Sequence, residues 1–528
     1  MKRRKFISAV SASTVLPALL NGFSFKAFAA SPLLQALANS SNNDHVLVLI
    51  QLNGGNDGLN MVIPLDQYGT LSTARSNILI PSAQVLPLNG TVATGLHPAM
   101  TGFQQLFNNG LANIIQGVSY PSPNFSHFRA TDIWLTASDS SVVLDSGWAG
   151  RYLDYEYPNY PVGYPNASVP DPLALEIGST VSLALQGPAA SMGMAITDPT
   201  NFYNLINGIQ DPAPNTNYGK ELTYIRQVSQ ESQAYSTVIT SAANSITQQS
   251  SSYPAAGSNP LADQLKIVAR LIAGGLQTKI YMVNLGGFDT HSAQVDSTDP
   301  TIGKHATLLG QLSAAIAAFM DDLNFLNVAD RVVGMTFSEF GRRIISNGSI
   351  GTDHGSGAPM LLFGNAVQSG LVGSNPVIPA NATVNDNVAM QYDFRSVYSS
   401  VLNEWFCVPQ TDLTQILLPN AQFLPVIQNN ACVTGIHELN QKAGENLVWN
   451  DPNPFSSSTY VTFKSQGGHI LLQVFNTEGK LIKTLVDSEY AEGTYKQWYE
   501  NEGHPPGVYY LRLQNEALQQ VKNMIVVR

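Results

Sequence analysis

Short apolar runs, each followed directly by a polar loop, recur along the chain and constrain the fold more than any other feature. The first run, HVLVLIQL at 45–52, leads into NGGNDGLN. The same pattern recurs at 111–118, 279–292, 331–343 and 359–364. Two segments between the later runs, 261–276 and 305–326, carry apolar residues at the i, i+3, i+4, i+7 spacing of amphipathic helices. Strands that alternate with helices predict an α/β fold with a central, mostly parallel sheet flanked by helices.

Polar side chains gather in the loops that follow the predicted strands. Ligands of parallel sheets bind beyond the carboxyl ends of the strands, so we expect these loops to lie close together. The acidic and histidine residues in the loops are Asp57, Asp289, His291, Glu339, Asp353 and His354. Carboxylates and imidazoles without cysteine suit a divalent ion such as Zn, Mn, Ca or Mg, and the mixture does not choose among them. The alternative for each loop is an ordinary turn or a salt-bridged strand end.

Two further pairs of residues suggest catalytic roles. Ser126 and His127 stand at the start of the helical pattern HFRATDIWLTA. The Ser126 hydroxyl is either a nucleophile in the positive field of the helix dipole or a helix cap, the commoner use of serine there. Arg342 and Arg343 end the segment FSEFGRR and suit bidentate binding of a phosphate or sulfate, with a salt bridge as the alternative.

The N-terminus predicts export. A basic start with Arg3-Arg4, an apolar stretch after it and the Ala-x-Ala sequence at 27–29 indicate a cleaved signal over 1–29. The arginine pair resembles a twin-arginine signal, and a plain secretory signal is the alternative. The two cysteines, Cys407 and Cys432, either form a disulfide in an oxidising compartment or remain buried thiols.

Composition limits the partners and the domain plan. The net charge of −11 argues against a nucleic-acid partner, which calls for a basic face. Residues 151–215, rich in Pro, Tyr and Asn, are interpreted as long loops over the sheet. The predicted domains are the signal over 1–29, an α/β domain over 30–447 and a small all-β domain over 448–528.

The tail from residue 448 alternates polar and apolar residues between regularly spaced turns. The segments HILLQVFN, LIKTLVD, EGTYKQWY and PPGVYYLRLQ predict a small antiparallel β-sandwich. With NPF at its start, the tail resembles the type A C-terminal sorting domain of the type IX secretion system of Bacteroidetes. The resemblance implies that machinery as a partner, transit through the periplasm, removal of the tail, and secretion or attachment at the cell surface. A carbohydrate-binding or adhesive module is the alternative.

Five motifs in the first part of the chain together resemble one protein family. In chain order they are GGNDGLNMVIP, SHFRATDIW, GGFDTHS, FSEFGRR and TDHGSGAPMLLFG. This set resembles the bacterial domain-of-unknown-function 1501 family over residues 45–410, a distant branch of the alkaline phosphatase-like superfamily that includes sulfatases and metal-dependent phosphomutases. The resemblance implies an alkaline phosphatase-like fold, two divalent metal ions and a nucleophile at a helix start.

The resemblance also implies a division of the ligands between two metal sites. One site would contain Asp289, His291 and His354. The other would contain Asp57 and Glu339 but would lack an imidazole, because Phe340 occupies that position.

The resemblance further places Ser126 near the nucleophile, with His127 beside it. Arg342 or Arg343 would hold an anionic group of the substrate. Asp353 is expected to shape its loop or to hydrogen-bond the imidazole of His354.

Two functions follow from these predictions. The first is a metal-dependent hydrolase of small anionic phosphate or sulfate esters, in which Ser126 attacks. The second is a non-catalytic exported binding or assembly protein on a degenerate alkaline phosphatase-like fold. For the second, a protein of the domain-of-unknown-function 1800 family is the expected partner.

Overall fold

The computed structural model describes residues 44–199, 235–417, 422–428, 448–476, 480–501, 503–514 and 519–527. The chain divides into two compact units, one built from Asp44–Ala431 and the other including Cys432–Arg528. The predicted export signal and Cys432 lie outside the described residues, whereas Cys407 is disulfide-bonded. Among the described helices, none is long and apolar enough to cross a membrane.

The larger unit alternates strands and helices. Its strands are β1 (Val46–Asn53), β2 (Val62–Pro64), β3 (Leu86–Leu88), β4 (Thr91–Leu96), β5 (Ala112–Ser119), β6 (Ala174–Ile177), β7 (Met194–Ile196), β8 (Ile280–Gly286), β9 (Val332–Ser338), β10 (Arg342–Ser346), β11 (Thr352–His354), β12 (Ala358–Phe363), β13 (Gly370–Val372) and β14 (Tyr392–Asp393). Its helices are α1 (Gly58–Met61), α2 (Tyr68–Arg75), α3 (Thr101–Asn108), α4 (His127–Thr136), α5 (Trp148–Glu156), α6 (Pro260–Ala273), α7 (Lys304–Phe325), α8 (Phe394–Ser400) and α9 (Leu413–Ile416).

Nine of the described strands form one sheet in the order β13-β5-β12-β9-β1-β8-β6-β7, with β14 beside β5. The central strand β1 pairs in parallel with both β8 and β9, and β6 continues the parallel order to β7. Strand β12 runs antiparallel to its neighbours β5 and β9, because the short hairpin β10–β11 rather than a helical crossover connects β9 to it. The predicted mostly parallel α/β sheet is confirmed.

Both faces of this sheet are covered. Val48 and Ile50 of β1 belong to one hydrophobic core, which includes residues of α3, α6 and α7. Leu47 and Leu49 belong to the opposite core, with residues of α4, α5 and α8. Successive side chains of a strand point to opposite faces, so a strand buried on both faces must be apolar throughout. This requirement explains the uninterrupted apolar run at the start of the chain's first strand.

The smaller unit is entirely β in its described part. Its strands are β15 (Val448–Asp451), β16 (Ser458–Phe475), β17 (Leu481–Glu500), β18 (Gly507–Gln514) and β19 (Gln519–Val526). They pair antiparallel throughout, and β16 is paired with β15, β17 and β18. Val461, Phe463 and Leu511 lie in its own hydrophobic core. The predicted C-terminal all-β region is confirmed.

Glu176, in β6 near the sheet edge, makes the stability of the α/β unit depend on pH. Burial raises the pKa of Glu176 from its ordinary value of 4.5 to about 7, although its carboxylate accepts a hydrogen bond from the Ser182 amide. Between those two pH values the unfolded chain loses the proton and the folded chain keeps it. This carboxyl therefore lowers the free energy of unfolding as pH rises from 4.5 to about 7.

We expect Glu176→Gln to remove this dependence, because glutamine keeps the hydrogen-bond acceptor and cannot ionise. At pH 8 the variant should be more stable than the native protein by up to about 3 kcal/mol, and at pH 4 the two should be equal. Urea unfolding of the full chain at both pH values measures the difference. Equal stability at pH 8 would show that Glu176 ionises normally in the folded protein.

Candidate metal centre

The loops after β1, β8 and β9 meet the start of α4 and the hairpin β10–β11 at one edge of the sheet. Asp289, in the loop after β8, lies at the centre of this junction. Its Oδ1 lies 3.3 Å from His291 Nε2 and 3.5 Å from His354 Nε2, and its Oδ2 lies 3.6 Å from His127 Nε2. In the described part of the chain, His127, Asp289 and His354 form a group whose ligand atoms all lie within 4.8 Å of one another.

The other ring nitrogen of each histidine is held by an oxygen atom. The Nδ1 partners are Glu339 Oε1 at 2.9 Å for His127, Asp353 Oδ1 at 3.1 Å for His291 and the Phe125 carbonyl at 2.8 Å for His354. Ionised carboxylates and carbonyls can only accept hydrogen bonds, so each Nδ1 carries the proton. In a neutral imidazole held this way, Nε2 presents its lone pair toward the junction, which is the tautomer required of a metal ligand.

The distances from Asp289 to the imidazoles fit a divalent ion. His291 Nε2 and His354 Nε2 lie 2.8 Å apart, which is a hydrogen-bond distance and shorter than the separation of two ligands on one ion. Tetrahedral coordination with metal–nitrogen bonds of about 2.0–2.1 Å places neighbouring donors about 3.3–3.4 Å apart. The separations between Asp289 and the imidazoles lie close to this value. The three residues Asp289, His291 and His354, predicted as one site, are thus brought together, and His127 joins them.

The charge states of the central groups suit the same role. Burial lowers the pKa of His354 below its ordinary value, which favours the neutral imidazole that a metal requires. Burial acts to raise the pKa of Asp289, but the hydrogen bond and positive charge of Arg342 outweigh it and hold that pKa below the ordinary value. The carboxylate therefore stays ionised at neutral pH.

Arg342 positions Asp289 and is buried away from any substrate. Its side chain is 1% exposed, and Nη2 donates to Asp289 Oδ1 at 2.6 Å. The remaining N–H groups donate to backbone carbonyls of three loops, those of Gly54, Gly55, Phe288 and Thr352. The predicted anion-binding role does not fit this geometry, because a buried guanidinium with every nitrogen engaged cannot reach a ligand.

Arg343 is engaged nearby. Its Nε donates to the His354 carbonyl at 3.0 Å, and Nη1 donates to the carbonyl of Val384 and to Asn385. The side chain thus fixes the backbone of a ligand residue. Its predicted contact with a substrate anion stays a prediction.

The residues predicted for a second metal site have other partners. Asp57 is fully buried and forms an ion pair with Arg75 at 2.8 Å, and it also accepts a hydrogen bond from Gln294 at 2.7 Å. Glu339 Oε1 accepts from the Gly54 amide at 2.8 Å as well as holding His127. Among the described residues, neither carboxylate belongs to a group of three close donors. The described residues therefore bring together one candidate centre, with Glu339 beside it as the partner of His127.

Phe340, which stands where the resemblance expects an imidazole, packs against two of the ligands. Its ring centroid lies 4.9 Å from that of His127 and 4.5 Å from that of His354. The ring also covers Gly55, at which an added Cβ would lie 2.1 Å from the Phe340 ring. Phe340 supports the imidazoles from the side instead of binding an ion.

Ser126 occupies the N-cap position of α4, but its side chain makes no capping hydrogen bond. The residue is exposed, and its backbone N–H donates to Asn124 Oδ1 at 2.8 Å. Of the two uses expected for this hydroxyl, capping is not realised. The hydroxyl lies next in sequence to a ligand residue and is free of capping contacts.

An open cavity of about 440 Å³ adjoins the centre. It is lined by Gln51, Asn53, Gly54, His127, Phe128, Thr131, Asp132, Asp289 and Glu339. His127 and Asp289 thus face both the donor cluster and the cavity. The sequence predicts a catalytic role for His127 and does not mark it as a ligand, although it places the residue at a helix start beside Ser126.

Comparison with known proteins gives two family matches. Residues 196–402 match the model described as a protein of unknown function (DUF1501), and residues 452–527 match that of a secretion system C-terminal sorting domain. The first match includes Asp289, His291, Glu339 and His354 but begins after His127. None of the curated proteins matches the chain.

Several solved structures are distantly similar. The PsFucS1 sulfatase from Pseudoalteromonas sp. is 9% identical with a TM-score of 0.33, covering 88% of this chain and 85% of that chain. A protein in the alkaline phosphatase superfamily from Vibrio parahaemolyticus is 8% identical with a TM-score of 0.31, covering 96% and 92%. The phosphonate monoester hydrolase SpPMH from Silicibacter pomeroyi is 10% identical with a TM-score of 0.28, covering 91% and 88%.

One family match lies within each of the two units, and the first covers only part of the larger unit. A type IX sorting tail indicates export, with the cell surface or secretion as the destination. The region that matches DUF1501, residues 196–402, thus supplies three of the clustered donors, and a match to a secretion system C-terminal sorting domain follows it in the chain.

Proposed function

We propose that the protein is an exported, metal-dependent hydrolase of phosphate or sulfate esters. The observation that carries the proposal is the convergence of the Nε2 atoms of three histidines, His127, His291 and His354, on the Asp289 carboxylate. Structural metal sites are closed, whereas catalytic sites keep a position open. Two of the donors, His127 and Asp289, also line an open cavity, so an ion held here is reachable from that side.

The donor set narrows the choice of metal. Two imidazoles and one carboxylate favour zinc over calcium or magnesium, which prefer oxygen ligands. When bound, such an ion supplies Lewis-acid polarisation of an ester oxygen. The residues that would hold it are His127, Asp289 and His354, which leaves a fourth position open, and His291 lies beside them with its Nε2 3.3 Å from Asp289 Oδ1.

The chain's own residues divide the remaining tasks. Ser126 stands at the positive end of the α4 dipole with no capping bond, which suits a hydroxyl that attacks an ester. Arg342 keeps Asp289 ionised and fixes the oxygen that faces His291 and His354. Thr131 offers a second hydroxyl in the cavity.

The alternative is a non-catalytic exported protein in which the ion pins loops together for binding or assembly. The ion pair between Asp57 and Arg75 favours this alternative, because it leaves a single centre. The full engagement of Arg342 favours it too, since an ester hydrolase usually offers the anion a cationic side chain. In this alternative, the expected partner is a protein of the domain-of-unknown-function 1800 family.

Metal analysis together with turnover decides between these functions. We expect the purified full-length protein to contain one transition-metal ion per chain and to hydrolyse an aryl phosphate or an aryl sulfate. Chelation should abolish turnover, and added zinc should restore it. Bound metal without turnover on either ester would support the binding protein. Absence of bound metal, with no thermal stabilisation by zinc, would overturn the metal centre itself.

A further inference from the structure

The cavity beside the metal centre contains polar side chains that the rest of the described protein does not use. They are Gln51, Asn53, Thr131 and Asp132. Within the described ranges, none of these side chains makes a hydrogen bond to another residue, whereas Asp289 and Glu339 in the same lining accept hydrogen bonds from Arg342, Gly54 and His127. One wall of the cavity is therefore occupied by protein contacts, and the other is available to a ligand.

An aromatic ring stands at the same place. Phe128 lines the cavity and is 87% exposed, the most exposed aromatic among the large hydrophobic residues of the described chain. Phe128 and Asp132 lie four residues apart on α4 and so share a face of the helix, as do His127 and Thr131. The first turns of α4 thus bring four side chains to one cavity: the His127 imidazole, the Phe128 ring, the Thr131 hydroxyl and the Asp132 carboxylate.

The charge of the lining limits what binds there. No lysine or arginine lines the cavity among the described residues, and the Asp132 carboxylate has no cationic partner in them. A second anionic group would be repelled, whereas hydroxyl groups would be bound well. A carboxylate accepts hydrogen bonds from hydroxyls, and an amide both donates to and accepts from them. The exposed face of an aromatic ring suits the apolar face of a flat saturated ring.

We propose that this cavity binds a neutral, polyhydroxylated ring, the carbohydrate part of a substrate, stacked on Phe128 and hydrogen-bonded through Asn53 and Asp132. The cavity volume of about 440 Å³ lies in the range of small-molecule sites. This inference rests on the proposed function for the position of the ester, which would lie at the metal centre. Binding of the ring itself requires no turnover and is measurable separately.

The test is equilibrium binding of the full-length protein to neutral hexasaccharides of glucose, of galactose and of N-acetylglucosamine. We expect at least one of them to bind, and Phe128→Ala and Asp132→Asn each to weaken that binding at least about fivefold. Val143→Ala is the matched control, because Val143 is a 73% exposed hydrophobic residue outside the cavity lining. Both test positions are on the surface, so the variants should fold.

Other outcomes would overturn the inference. These are no binding of any hexasaccharide, equal binding by the native protein and both variants, or binding of choline in preference to every saccharide. The last result would assign the carboxylate and ring to a cation. Saccharide binding without bound metal would remove the proposed hydrolase and leave the carbohydrate site. Metal-dependent ester turnover without saccharide binding would support the proposed hydrolase and overturn the carbohydrate site.

Discussion

Replacing His354 by alanine is expected to weaken metal binding at least about 100-fold and to abolish ester turnover. The His354 Nε2 atom lies 3.5 Å from Asp289 Oδ1 and 2.8 Å from His291 Nε2, so it is close to both neighbouring ligand candidates. Removal of residues that merely orient metal ligands costs 10–100-fold in affinity or activity, so loss of a direct ligand should cost at least as much. Zinc titration of the metal-free protein by calorimetry measures the loss.

His469→Ala provides the matched control for this prediction. His469 is also paired with a carboxylate, that of Asp487 at 3.1 Å, but it lies in the C-terminal β unit. The control should bind zinc as the native protein does. Equal weakening in the two variants, or unchanged binding in His354→Ala, would refute the assignment of the centre.

Replacing Arg342 by methionine is expected to lower the free energy of unfolding by about 3–5 kcal/mol, because it leaves the Asp289 carboxylate and several backbone carbonyls without a donor. Because Asp289 would lose its orientation, we also expect zinc affinity to fall about 10–100-fold. Urea unfolding and zinc titration of the same preparation measure the two effects. Arg342→Lys should keep the charge and lose the fork of donors, giving an intermediate loss.

Arg343→Met is the adjacent control. Arg343 is half-buried and donates to one ligand backbone and to a surface loop, so its loss should cost about 1–2 kcal/mol. Equal losses at 342 and 343 would mean that the buried guanidinium has no special role. Loss of stability at 342 with unchanged zinc affinity would make Arg342 purely structural.

The sheet could be predicted because its central strands are buried on both faces and read as continuous apolar runs. This holds best for β1, β8 and β9, whereas β5 is buried throughout but includes the polar residues Asn113 and Gln116. Strands β6 and β7 lie in the region interpreted as long loops, and that interpretation was wrong for them. They are four and three residues long, too short for any periodicity to stand out among the Pro, Tyr and Asn around them.

The sequence predicts which loops form the site but not the contacts that their side chains make. Strand order brings Asp289, His291 and His354 to one edge, and the sequence contains that order. It contains no sign that Asp57 would meet Arg75 or that Glu339 would face the Nδ1 of an imidazole, because these contacts depend on side-chain packing between distant segments. Asp353 was expected to shape its loop or to hydrogen-bond the imidazole of His354. It accepts a hydrogen bond from Asn347 in its own loop, and the imidazole that it holds is that of His291.

Because the Arg342 guanidinium binds three loops at once, folding of the chain and binding of the metal can be separate events. Arg342 and the Nδ1 partners fix the donor atoms through protein contacts alone, so the centre takes its shape when the chain folds. A site assembled in advance spends little of its binding energy on ordering loops. Folding and loading can therefore occur in different compartments, and the metal supply where the exported protein arrives would determine which ion it acquires.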